Sequence, residues 1–540
     1  MEQKLIVTKN KLFSFFVEEY RFLLTFFLIF IICVLEFPSL SYRSEVWAEQ
    51  GTDFLYNAKN LSFFKNLFKI HFAYIVLLPR FISLFVYTFF PVKYFPLVTN
   101  IAGLLFIAFF CAFFSKKKFR ILIESDFIRF CICLLLGFGL TNNYENYTFI
   151  NFSYYGIYFC FFMMFYDKES LSKFTFFLYA VLNALLCASK FHFIIFFIPY
   201  IILEIVSLKK KRKRDIVFFA TSLFTLSLQF FVALGNRITS LSDSESKIIA
   251  ELPVFIMKSF MLYIRAFTAG KSSIIYCILL VSCTCFFVYT LYKQKKFSDI
   301  QLNFFVLGNF IAFSFLAVST LLTIFPSSGK DTVGMIFSLN TPWVASLRWV
   351  FISVELLFVM LIFAIYQYYM AKPNVLLIVL LVVLYSNNFV ELKDYRPLKR
   401  DLYPKADDSR SQWNNYFTLF SYEDYFIPVN PDGWSIVKDC SHIKDIIIDG
   451  NTSFEVAIGE DISLRAIYID YDEKINFTVE GFLKEESFLG EGKIVSNTGR
   501  NIYVLFEKRI SPDYIVFKDA NGIPLHLKPN TKLQIWGQKS

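Results

Sequence analysis

Apolar runs of about twenty residues, the length that crosses a bilayer, separated by short basic clusters, limit what this sequence can fold into more than any other feature. Candidate runs lie at 22–35, 94–115, 121–141, 150–166, 174–189, 191–208, 216–234, 273–292, 302–324, 349–370 and 373–389. They predict about eleven transmembrane helices. Composition agrees: 56% of residues are hydrophobic and 18% charged, where a soluble domain carries about 25% charge. An ordinary soluble, disordered or fibrous chain is excluded. The expected class is a polytopic α-helical membrane protein.

The net charge of +10 is unevenly spread. Residues 1–394 contain 36 Lys/Arg against 22 Asp/Glu, and residues 395–540 contain 18 against 22. The basic excess sits in clusters between apolar runs: Lys116, Lys117, Lys118 and Arg120; Lys209 to Arg214; and Lys293, Lys295 and Lys296. Such clusters mark the cytoplasmic side, so they speak for membrane topology and against nucleic acid. Eleven crossings from a cytoplasmic N-terminus place all three clusters inside and the region after 394 outside. A further apolar segment, 73–90, would break this parity as a full crossing, and Pro79 and Arg80 interrupt it. It is therefore read as re-entrant or interfacial. The pair 174–189 and 191–208 fits either two spans or one broken hairpin.

After a charged linker at 395–420 the pattern changes. Short alternating or β-branched stretches at 444–449, 453–458, 463–469, 475–479, 501–506 and 514–517 are separated by Asn/Asp-Gly turns. That spacing predicts an extracytoplasmic β-sandwich over 421–540, following a membrane domain over 1–394. Such a module can bind a ligand or act only as a lid. Cys440 is the tail's single cysteine, so no internal disulfide is expected. The Cys131/Cys133 and Cys283/Cys285 pairs match no zinc spacing, and no metal is expected.

The chemistry-bearing residues gather in loops expected outside. The 37–72 loop contains Glu45, Glu49 and Asp53. If 46–58 is helical, Glu49 and Asp53 share a face at i and i+4. A partly desolvated carboxylate there can take a proton from a hydroxyl; a surface acid is the plainer alternative. The 141–149 loop brings Asn142, Asn143, Glu145 and Asn146, with Asn151 next to it; these can bond sugar hydroxyls or cap a helix. Arg80, Arg237, Arg265, Arg348 and Lys190 stand at outer boundaries, against the usual inward bias. Arg suits phosphate, though it can also reach lipid headgroups. His71 and His192 read as packed aromatics.

Taken in order, these parts resemble the GT-C class of integral-membrane glycosyltransferases, and within it bacterial phage-type O-antigen glucosyltransferase-like members. The matching stretches are Trp47-Ala-Glu-Gln-Gly51 with Phe54-Leu55 and Ala58, then Tyr74 and Pro79-Arg80; Glu145, Asn151 and Tyr154-Tyr155; Arg348-Trp349; and Pro431-Asp-Gly-Trp434. The chain departs at Gln50, where the pattern has an acid. Glu49 and Asp53 therefore compete for the base role.

The resemblance implies a GT-C-like fold in the bacterial inner membrane, with a periplasmic C-terminal domain, that modifies lipopolysaccharide in the cell envelope. It implies inverting transfer of a hexose such as glucose from a polyprenyl-phosphate donor, with no cofactor, to a surface glycan. Arg348 and Arg80 would bind the donor phosphate, and Trp47, Glu145 and Asn151 the substrate. Membrane lipid and the glycan acceptor would be partners, with a donor synthase and a flippase upstream. The alternatives are a polysaccharide polymerase or ligase, or a lipid-linked oligosaccharide transporter. The last would need polar residues midway along spans.

Overall fold

The computed structural model describes residues 2–37, 40–42, 45–71, 74–138, 144–238, 298–324, 344–369, 413–414, 416–429, 434–448, 454–459, 461–471, 476–485, 487–497 and 501–539. The chain forms two compact units. The first holds Met1–Phe37, Ser62–Ile82 and Ile101–Arg396; the second holds Pro38–Leu61, Ser83–Asn100 and Pro397–Ser540. The first loop thus clusters with the C-terminal region, a grouping that the sequence boundary at 394 does not follow.

The main helices are α1 (Glu2–Glu36), α2 (Leu77–Phe89), α3 (Phe95–Ala112), α4 (Asp126–Phe138), α5 (Gly156–Phe165), α6 (Lys173–Cys187), α7 (Phe197–Lys209), α8 (Lys213–Ile238), α9 (Asp299–Ile324) and α10 (Val344–Tyr369). Among the described residues, three stretches are long and apolar enough to cross a membrane: Val92–Ser115, Phe191–Lys209 and Lys213–Gly235. Leu77–Phe89, Phe152–Phe165 and Lys173–Cys187 are apolar but shorter, and Asp299–Phe315 and Phe351–Gln367 are apolar stretches within the 26-residue helices α9 and α10. The expected count of about eleven is therefore not reproduced, and the runs at 273–292 and 373–389 lie outside the described residues. The 302–324 and 349–370 runs match α9 and α10 in extent, whereas in other runs apolar residues precede the first α-helical turn. The 121–141 run opens with chain that is not α-helical before α4 begins at Asp126, and the 150–166 run opens with a 3₁₀ turn at Phe152–Tyr155.

Pro79 does not interrupt α2. It falls in the first turn, where the missing N–H has no intrahelical acceptor to lose. At 13 residues, or ~20 Å, α2 is too short to cross ~30 Å of hydrocarbon. The pair around 190 resolves into separate helices, since Lys190 is extended (φ −145°, ψ 141°) before the 3₁₀ stretch that leads into α7.

Aromatic rings fill the first unit. Phe114 stacks on Phe162 (4.6 Å) and Phe113 meets Phe159 edge-on (4.9 Å). Its basic clusters are partly neutralised: Asp126 takes Arg21, Arg120 and Arg129, while buried Asp215 takes Lys168 (3.1 Å) and Arg212 (2.6 Å).

The C-terminal strands are β1 (Tyr425–Val429), β2 (Trp434–Lys438), β3 (Ser441–Ile447), β4 (Glu455–Ala457), β5 (Ile462–Asp470), β6 (Phe477–Phe482), β7 (Phe488–Asn497), β8 (Asn501–Ile510), β9 (Tyr514–Asp519) and β10 (Lys532–Lys539). They form a β1–β2 hairpin and one antiparallel eight-stranded sheet in the order β3-β10-β5-β8-β7-β6-β9-β4. The expected sandwich is thus a single curved sheet. One core takes Ile467, Val504 and Ile535 from one side of the order and Val479, Ile515 and Phe517 from the other, so the sheet wraps on itself. Register shifts within β8 and β10 supply the curvature. Strands β7 and β10 escaped the sequence reading. Gly490 and Gly492 hide the alternation in β7, yet a Cβ at Gly492 would lie 2.7 Å from Val504 Cγ1.

Candidate functional site

Within the second unit, the acidic loop is held by a chain of hydrogen bonds. Trp47 N–H donates to Gln50 Oε1 (2.9 Å), and Gln50 Nε2 donates to Thr99 Oγ1 (2.7 Å) and Asn100 Oδ1 (2.8 Å). Asn100 Nδ2 in turn donates to the Glu45 carbonyl (3.1 Å). The departure at position 50 now has a physical reason. The buried side chain both accepts and donates, and an ionised acid has no N–H with which to hold Thr99 and Asn100.

The segment then runs through a π-helix, Gln50–Leu55, into the α-turn Tyr56–Asn60. The expected helicity of 46–58 is met from Glu49 onward. Gly51 sits where a Cβ would fall 2.6 Å from Val46 Cγ1 and 2.7 Å from Ile436 Cδ1. The π-helix therefore lies directly against strand β2.

The two competing acids differ. Asp53 is held by Asn57, whose Nδ2 donates to its backbone carbonyl (2.5 Å) and to its carboxylate. Glu49, the N-cap of the π-helix, makes no side-chain cap bond and is partly exposed. Its carboxylate has no hydrogen-bond or ion-pair partner among the described residues. Trp47 is buried, 6% exposed, so it forms part of the packing under the loop rather than an open stacking platform.

Glu45 was passed over in the sequence, where it reads as a third surface acid. It is 4% exposed, and Oε1 has no hydrogen-bond partner among the described residues. Burial pushes its carboxyl well above the usual carboxylate range, opposed by a hydrogen bond from the Trp413 backbone. A raised folded-state pKa contributes stability in full below the unfolded value, near 4.3, and loses it as pH rises through the folded value. Glu45→Gln is therefore expected to flatten the alkaline loss of stability of this unit. Proteolysis of the C-terminal region across a pH series checks this; an unchanged profile would remove Glu45 as its source.

The first unit carries a basic group. Arg80 is fully buried, and its Nη1 donates to Asn66 Oδ1 (3.1 Å). Asn66 is also buried, and its Nδ2 has no acceptor among the described residues. The start of α2 is tied to the turn after α6, with Leu77 N–H donating to Ala188 O (3.0 Å) and Leu78 N–H to Ser189 Oγ (2.9 Å). The next residue, Lys190, is 5% exposed. Its ammonium lies 4.8 Å from the Tyr154 ring centre and 6.0 Å from that of Tyr74. His192 packs between Tyr154 (5.1 Å) and Phe315 (5.0 Å), as a packed aromatic. Arg80, Asn66 and Lys190 are buried donors of the kind that suit an anion.

Asn151 is nearly buried at the head of the Phe152–Tyr155 turn and makes no side-chain cap bond; the capping alternative does not hold there. Glu145 lies in the short helix Tyr144–Tyr147 and Arg348 in α10, but their side chains are outside the described residues. Arg237 also has its side chain outside them, as does all of Arg265. Asn66 is the addition to the expected residues, while Lys190 is one of the cations the sequence places at outer boundaries. The clue to Lys190 was an isolated cation between two apolar runs; Asn66 had none.

No family model, no curated protein and no solved structure matches this chain.

Proposed function

We propose that this protein is a membrane glycosyltransferase that moves a hexose from a polyprenyl-phosphate donor to a surface glycan on the extracytoplasmic face. The observation that carries the reading is the buried pair of Arg80 and Asn66 in the first unit, with buried Lys190 following the turn that holds the start of α2. A lipid phosphate brings an anion and a hydrocarbon tail together, and that pairing suits such surroundings.

In this reading Glu49 removes the proton from an acceptor hydroxyl as its oxygen attacks the anomeric carbon. The bond from that carbon to the phosphate oxygen breaks, the configuration inverts, and the lipid phosphate leaves as the anion. Arg80 and Lys190, with Arg348 from α10, balance the developing charge. Asp53 is the second candidate for the base. Glu145 and Asn151 are assigned to the sugar hydroxyls, and the protein supplies position and charge without a cofactor. A GT-C-like arrangement with further spans, the inner membrane and a periplasmic C-terminal domain belong to the same proposal.

The test compares surface polysaccharide, by mass and linkage, from wild type, a deletion and Glu49→Ala at equal membrane levels. Loss of one hexose-sized unit in both mutants is the expected result. Loss in the deletion alone removes Glu49 from the site. No change in either defeats the reading and favours transport, for which Glu355, buried midway along α10, is a specific observation.

A further inference from the structure

Glu355 has no part in the transfer just described, yet it is one of the more costly residues in the first unit. It stands in the apolar helix α10 and is 2% exposed. A carboxylate in such surroundings is retained for a specific interaction. Its partner is Tyr158 of α5, fully buried, whose hydroxyl donates to Glu355 Oε2. One turn away, Phe351 of α10 packs on Tyr155 (5.2 Å), and Tyr155 adjoins Tyr158 (6.1 Å). On another side of α10, Ser353 Oγ donates to Ala312 O of α9 (2.8 Å).

These contacts differ in what they specify. Aromatic and aliphatic packing tolerates a helix turning by part of a residue, because dispersion contacts are non-directional and individually small. A hydrogen bond does not, since it weakens steeply as its angle and length depart from optimum. The Tyr158–Glu355 bond is therefore one of the directional contacts that set the rotation of α10 about its axis, with Ser353 Oγ to Ala312 O, Gln367 Nε2 to Leu122 O (2.9 Å) and Ser125 N–H to the Tyr366 hydroxyl (3.3 Å). Arg348 precedes Glu355 by seven residues on that helix, close to two full turns. The two positions share one side of α10, so whatever fixes the angle of one fixes the angle of the other.

We infer that Glu355 is a positioning residue: held by Tyr158, it helps set the rotation of α10 and with it the face of the helix on which position 348, assigned to the donor phosphate, lies. This rests on the glycosyltransferase reading for what Arg348 does, but not for the orientation of the helix.

Two measurements test it. The first is transfer by the full chain in native membranes, with a radiolabelled polyprenyl-phosphate hexose as donor and polysaccharide from the deletion strain as acceptor. Tyr158→Phe and Glu355→Leu are expected to raise donor KM about tenfold with kcat within about twofold. Glu355→Gln keeps an oxygen that accepts from Tyr158 and is expected to stay near wild type. A simple loss of folding would lower active enzyme and leave KM alone. Unchanged donor KM in Tyr158→Phe and Glu355→Leu, with wild type active, overturns the inference. An inactive wild type defeats the transfer reading instead.

The second measurement needs no activity. Cysteines introduced as Ala312→Cys with Ser353→Cys, in a chain otherwise free of cysteine, are expected to form a disulfide. Adding Tyr158→Phe should slow its formation about tenfold if the bond sets the angle of α10. An equal rate shows that the other contacts of α10 orient the helix, and the inference fails.

Discussion

Glu49→Gln is expected to lower the rate of sugar transfer by a factor of ~10²–10⁴, the usual contribution of a positioned general base, without changing the amount of protein in the membrane. The expectation follows from what the two neighbouring acids are doing. Asp53 is occupied by Asn57 through both its carbonyl and its carboxylate. Glu49 stands at the head of the π-helix, partly exposed, with no partner among the described residues. A base must reach its proton freely, and a carboxylate that already accepts a strong hydrogen bond is a poorer one. Because Glu49 makes no bond, its amide isostere leaves no buried group unsatisfied, so lost rate cannot be attributed to a collapsed loop. Asp53→Asn should be the milder change in rate. It also disturbs the Asn57 contact, so it should show more in protease sensitivity of the second unit. Rates on purified donor, with limited proteolysis of the same preparations, separate the two. If Asp53→Asn abolishes transfer while Glu49→Gln is silent, the roles are exchanged.

How far the sequence went toward this site depends on the kind of signal. The β-rich tail and several of its strands followed from alternation and turn residues, because strand periodicity is local. The sandwich did not follow, since curvature of one sheet depends on register shifts in β8 and β10 that span dozens of residues. The helices were legible in kind, and at 302–324 and 349–370 in extent, but several of their starts were not. Hydropathy records how apolar a segment is, and it is blind to where Phe152–Tyr155 tightens to a 3₁₀ turn or where Lys190 opens the chain.

Position 50 shows the same limit at one residue. As sequence it was only a departure from an expected acid. As structure it is the donor that holds Thr99 and Asn100, from a different helix. Asn66 and Glu45 were likewise unreadable. An asparagine or glutamate in a polar loop gives no local sign that tertiary packing will bury it. The grouping of the first loop with the C-terminal region is a long-range contact of the same type, visible at Gly51 against Ile436.

Arg80→Ala is expected to raise the KM for a polyprenyl-phosphate donor by roughly 10–100-fold, the loss of hydrogen bonds from a charged donor in a dry site. Arg80→Lys should recover little of it, because a guanidinium bonds two oxygens in a fixed plane and still reaches Asn66, while an ammonium is a point charge on a flexible stem. Lys190→Met keeps most of the stem packed between Tyr74 and Tyr154 and removes the charge. Its effect should be smaller, several-fold at most, since cation–π contacts contribute about 0.5–2 kcal/mol.

The order Arg80 above Lys190 is itself informative. A merely structural Arg80 would lose stability through the orphaned Asn66 oxygen, with donor KM unchanged. A phosphate ligand would lose affinity for the phosphate-bearing donor in particular. Initial rates against donor concentration, beside inhibition by inorganic phosphate or polyprenyl phosphate, distinguish these. Unaltered KM and inhibition in Arg80→Ala would move the anion away from Arg80 and Asn66 and leave Arg348 and Lys190 as the remaining cations proposed for it. The same result would take from the glycosyltransferase reading the observation on which it chiefly stands.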